Sequence, residues 1–193
     1  MRTKNMLSAT EVTKCRELFD ALDAFALKKL AEKSDLPKQM TQNEAGALKS
    51  KVRQLWLKDH TIIDQFLEKN LAITADDKEI IVGWKKNLID DFCLMKVYPE
   101  YVVFYSTETK QKYGAKVLFD LKLMSFPVPA FLATSLLFYK GIILWDGLAA
   151  VRSISVGKTM AKGFFEECEK DRKAGKIITS FCEDNKNSEL ICI

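Results

Sequence analysis

The sequence predicts an α+β protein, helical through its first half and an antiparallel β meander in its second, closed by a final helix. Up to about residue 90, apolar residues recur at steps of three and four behind marked helix starts. Beyond it, short runs rich in Val, Ile, Phe and Tyr are separated by tight turn signals. Short turns imply antiparallel pairing, because parallel neighbours need long crossovers. No Gly-, Pro- or Ser-rich linker separates the halves near Asp90 and Asp91. One domain over 1–193 is therefore expected, with a helical part (1–90), a mainly β part with its closing helix (91–176) and a loose tail (177–193).

Ser8 and Glu11 form a capping box that opens the first helix. Val12, Cys15, Phe19, Leu22, Ala26 and Leu30 share one of its faces, and Pro37 ends it near Ser34. Thr41 and Glu44 form a second capping box, followed by Leu48, Val52, Leu55 and Trp56 on one face. Asp59 caps a third helix carrying Ile62, Ile63 and Phe66. Thr74 precedes a fourth, with Asp76 and Asp77 at the positive end of its dipole and Ile80, Ile81, Trp84 and Leu88 on one side.

Strands are expected over 92–97, 101–105, 113–119, 131–138, 142–145 and 148–156. The turns between them are Tyr98-Pro99-Glu100, the polar run 106–112, Lys140-Gly141 and Asp146-Gly147. Residues 120–126 read either as loop or as a helical turn. A last helix over 159–173 turns Met160, Phe164, Phe165 and Cys168 inward.

The chain has 193 residues, 48% hydrophobic and 29% charged, with a net charge of +4. It can bury a core, yet the basic surplus is too small and too evenly spread for a dedicated nucleic-acid or membrane-surface binder. Its five cysteines (Cys15, Cys93, Cys168, Cys182 and Cys192) are too widely spaced for a zinc knuckle and fit reduced thiols of a cytoplasmic protein. No secretory leader is read at the N-terminus. No metal and no cofactor is expected.

Several motifs give way on inspection. Gly157-Lys158-Thr159 looks like the end of a phosphate loop, but Arg152 stands where the loop needs its first glycine. It reads instead as a glycine-started helix. The apolar stretch 126–151 is interrupted by Pro127, Pro129, Lys140, Gly141, Asp146 and Gly147, so it reads as a buried hairpin rather than a membrane span. His60, the one histidine, reads as a first-turn residue of the third helix. Tyr98, Tyr101, Phe104, Tyr105 and Tyr113, flanked by Lys96, Lys110, Lys112 and Lys116, suit a sheet core and, less well, a base-stacking platform.

Leu55-Trp56, Ile62-Ile63-Asp64-Gln65-Phe66, Asn70 and Ile80-Ile81-Val82-Gly83-Trp84-Lys85 combine with Leu136-Leu137-Phe138-Tyr139-Lys140-Gly141-Ile142-Ile143 and Asp146-Gly147-Leu148. Together, over roughly residues 40–160, this pattern resembles an uncharacterised bacterial α/β region often found in proteins that also carry a cysteine-rich SEC-C zinc motif. The chain lacks the clustered cysteines, and the resemblance implies no established chemistry.

The function expected is a non-enzymatic bacterial cytosolic interaction or regulatory protein. Its first helix would dock on a protein partner or pair with a second copy in a homodimer. One alternative is a small-ligand or enzymatic pocket between helices and sheet, with Asp146, Lys140 and Tyr139 as its polar floor. The other is single-stranded RNA binding through the sheet.

Overall fold

A computed structural model of the chain describes residues 6–32, 41–124 and 126–181. Its elements are α1 (Ala9–Ala31), α2 (Gln42–Lys58), α3 (Thr61–Lys69), α4 (Ala75–Gly83), β1 (Asn87–Val97), β2 (Val102–Ser106), β3 (Lys112–Val117), a 3-10 turn (Leu121–Leu123), β4 (Ala130–Tyr139), β5 (Ile142–Trp145), β6 (Ala149–Val151) and α5 (Lys158–Lys173). Both capping boxes form: the Glu11 N–H donates to Ser8 Oγ and the Glu44 N–H to Thr41 Oγ1. Thr74 caps α4 by accepting from the Asp77 N–H. At α3, His60 occupies the cap position, and the Asp59 carboxylate accepts from the Thr61 N–H. The predicted end of the first helix at Ser34 and Pro37 lies outside the described residues.

The α+β class holds, but the β half is not an antiparallel meander. The strands follow the order β1-β2-β3-β5-β4-β6, and β1 also pairs with β4, closing five of them into a barrel. The β3–β5 contact is parallel, with Lys116 opposite Leu144 and Val117 opposite Trp145. The reason is where the chain re-enters the sheet: β3 ends at Val117, β4 starts at Ala130 beside β1, and β5 then runs alongside β3. This is the connectivity of OB-type Greek-key barrels.

The barrel interior is filled by alternate residues of each strand: Phe92 and Leu94, Val102 and Phe104, Tyr113 and Ala115, Leu132 and Leu136, Ile143 and Trp145. Outside, α1–α4 pack on one wall, burying Phe19, Leu22, Trp56, Ile63, Ile81 and Trp84 against Leu118, Leu137, Tyr139 and Leu144. Phe19 stacks on Trp84 with ring centroids 4.1 Å apart. On the opposite wall α5 covers Cys93, Met95, Tyr98 and Val103 with Cys168 and Phe164.

Other expectations are corrected. α4 ends at Gly83 and β1 begins at Asn87, so Leu88 is not on the fourth helix and, with Asp90 and Asp91, lies within a strand. Ser106, Thr107 and the Glu108 N–H all donate to the Asp90 carboxylate, which locks the β2–β3 loop. Met160 is 53% exposed rather than inward. The last strand is only Ala149–Val151. The start of the expected tail is not loose: Ile178 bridges Tyr113, and the Thr179 carbonyl accepts from the Ile143 N–H. The segment fills the gap where β3 and β5 diverge. Residues 182–193 lie outside the described residues.

Candidate functional site

The apolar run 142–151 forms no single strand. Leu144 pairs with Leu137 and Ala149 with Thr134, so Trp145, Asp146, Gly147 and Leu148 lie opposite only Ser135 and Leu136 of β4. The surplus is thrown out as a bulge between β5 and β6. Gly147 takes φ +89° there, and a Cβ at that position would stand 2.6 Å from the Phe119 ring. The bulge is pinned by its own side chains. Asp146 Oδ1 accepts from the Leu148 N–H at 3.0 Å. Thr134 Oγ1 donates to the Leu148 carbonyl and accepts from Trp145 Nε1.

The bulge aims Asp146 out of the barrel at α2, where Arg53 receives it. Arg53 Nη1 donates to Asp146 Oδ2. Its Nε and Nη2 donate to the two oxygens of Asp23 on α1, at 3.0 and 2.8 Å. Trp56 Nε1 adds a bond to Asp23 Oδ1 at 2.8 Å. The guanidinium lies 4.0 Å over the Phe19 ring. The Arg53 side chain is 4% exposed and that of Asp146 3%. Burial works against the charge of Arg53, but Asp146 and Asp23 outweigh it and hold its pKa above the ordinary value. Burial pushes the Asp146 carboxyl up, against the pull of Arg53 and of the Leu148 N–H.

Above this triad opens a cleft of about 410 Å³ between α1, α2 and the barrel. Phe19, Phe119, Met124, Phe126, Trp145 and Leu148 are its apolar walls, and Asp146 and Arg53 form its floor. Arg16, Asp20 and Lys49 stand at its mouth. Arg16 Nη2 donates to the Leu118 carbonyl at 3.0 Å.

Of the residues expected in a pocket, the fold brings only Asp146 here. Tyr139 and Lys140 lie at the other end of β5, because the hairpin turn and the bulge are separated by the strand's length. Tyr139 is buried in the same core cluster as Cys15 of α1, and burial raises its pKa. Lys140 occupies the left-handed turn at φ 46°, its Nζ 5.8 Å from the Tyr139 ring. Arg53, Asp23 and Arg16 were not singled out from the sequence. A signal for two of them was present: Asp23 lies between Phe19 and Ala26 on the apolar face of α1, and Arg53 between Val52 and Trp56 on that of α2. Opposite charges on two apolar helix faces mark a buried pair.

The tyrosine-rich β1–β3 face lies under α5. Lys96 pairs with Glu169, and Lys112 with Glu167 and Asp171. Phe104 and Tyr113 point into the barrel. The apolar face of α1 is likewise filled by the chain's own core. Among the described residues, no helix is long and apolar enough to cross a membrane, and no cluster of potential metal ligands forms. Cys15, Cys93 and Cys168 are free and buried, and burial pushes their thiols up to about 11, 12 and 11. Gly157 is a plain helix cap. No family model, no curated protein and no solved structure matches the chain.

Proposed function

We propose that this chain is a non-enzymatic regulatory or interaction module that takes a small ligand into the cleft between its helical layer and its barrel. The observation that carries the reading is the cleft itself. Its volume of about 410 Å³ falls in the range of small-molecule sites, roughly 300–1,000 Å³, and so does its make-up of apolar walls with a few placed polar groups. A non-catalytic role is favoured because the buried carboxylate has no free oxygen: Asp146 Oδ1 and Oδ2 are both engaged. The buried thiols, raised well above neutral pH, are poor nucleophiles. Regulation is favoured because a ligand here touches α1, α2 and the bulge together, and so biases how the layers pack. Three free buried thiols and the resemblance to a bacterial region support a bacterial cytosolic setting. A protein partner or second copy would use a surface other than the filled face of α1.

The test is a thermal-shift screen of small aromatic compounds against the wild type and Met124→Trp, which fills the cleft from its wall. Ligands of the cleft raise the wild-type midpoint in a concentration-dependent way and leave the variant unmoved. Compounds that stabilise both proteins equally would contradict the reading.

A further inference from the structure

Resting on that reading of the cleft, we infer that its ligand is a flat aromatic anion, an aryl carboxylate, whose charged group is held by Arg16. The walls select the body of the ligand. Phe119 and Phe126 offer ring surface, with Met124 and Leu148 beside them, and aromatic surfaces favour stacked or edge-on partners. The charges at the mouth select its head.

Among the described residues, three cations and two carboxylates line the cleft. Arg53 is taken, since its fork is filled by Asp23 on one edge and Asp146 on the other. Asp146 is cancelled by that contact. Lys49 faces Asp20 at 3.6 Å, both side chains at least half exposed, a loose pair that water screens. Arg16 remains. Its bond to the Leu118 carbonyl uses one N–H of five and fixes the guanidinium at the mouth. The remaining donors present the planar fork that matches a carboxylate. An arginine already held by the backbone loses little freedom on binding, so the contact is preorganised.

The experiment is calorimetric titration of the full chain with three probes of one shape: 2-naphthoate, neutral 2-naphthamide and cationic 2-naphthylmethylammonium. The expected result is that naphthoate binds about tenfold or more tightly than the amide, the scale of one charge-assisted contact, and that the ammonium binds weakest. In Arg16→Gln the affinity for naphthoate falls to that of the amide. In Met124→Trp all three are excluded. If the amide binds as well as the acid, or if Arg16→Gln keeps the gap, the anion class is overturned while the cleft reading stands. If none of the probes binds the wild type, or if Met124→Trp binds them as well, both fall together.

Discussion

Arg53 is the residue on which the two layers meet. It answers carboxylates from α1 and from the β5–β6 bulge, and it lies against the ring of Phe19. Taking away one member of a buried pair leaves the others charged and unanswered, at a cost of about 3–5 kcal/mol. Arg53→Ala strands two carboxylates and is expected to lower the unfolding free energy, read from urea denaturation, by an amount in that range. Asp23→Asn keeps the shape and is expected to cost less. Gly147 is the second such residue. Its positive φ disfavours any side chain, and a Cβ would strike Phe119. Gly147→Ala is expected to destabilise by roughly 1–2 kcal/mol from backbone conformation alone, with the added clash deforming the cleft wall. Equilibrium denaturation checks both. These residues were half legible in the sequence. Asp146-Gly147 announced a turn or bulge, but the partner of Asp146 sits 93 positions away on α2, a separation no local pattern reports.

At the scale of elements, α5 sits on the barrel through an apolar contact at Cys168 and Phe164, flanked by ion pairs. Lys96, through its hydrogen bond, and the Tyr98 hydroxyl hold the Glu169 carboxyl below the ordinary carboxylate range, and Lys112 does the same for Asp171. A carboxyl whose pKa is lowered by folding adds stability above its unfolded value, near 4, and gives it up as pH falls through the folded value. The docking of α5 is therefore expected to hold at neutral pH and to loosen below about pH 4. Hydrogen exchange over 158–173 measures it, and protection unchanged down to pH 3 would contradict the assignment. Cys93 lies under the same helix and Cys168 on its inner face. Their alkylation at pH 8 is expected to follow the opening of α5 rather than thiol ionisation. Helices were the most legible elements, since capping boxes and apolar spacing are local signals. The strands could be placed, but their order could not. The parallel β3–β5 contact depends on β4 pairing with β1 rather than with β3. The early start of β1 was hidden because Asn87, Asp90 and Asp91 are polar. Asn87 is satisfied by the carbonyls of Leu57, Trp84 and Lys85, and Asp90 by the β2–β3 loop.

At the scale of the molecule, a closed barrel is covered on two sides, by four helices and by one. The helical wall covers what the sequence offered as a docking seam, and α5 covers what it offered as a stacking platform. An open cleft is left where the helical layer and the bulge fail to meet, above Arg53 and Asp146. Its existence follows from tertiary placement, so composition and periodicity could point to Asp146 without showing what surrounds it. The measurement that tests this most directly is amide chemical-shift mapping with an aryl carboxylate such as 2-naphthoate. Binding in the cleft shifts Arg16, Phe119, Trp145, Gly147 and Leu148 together and leaves α5 unmoved. Shifts that gather on α5 and the β1–β3 face, with the cleft silent, would contradict the account.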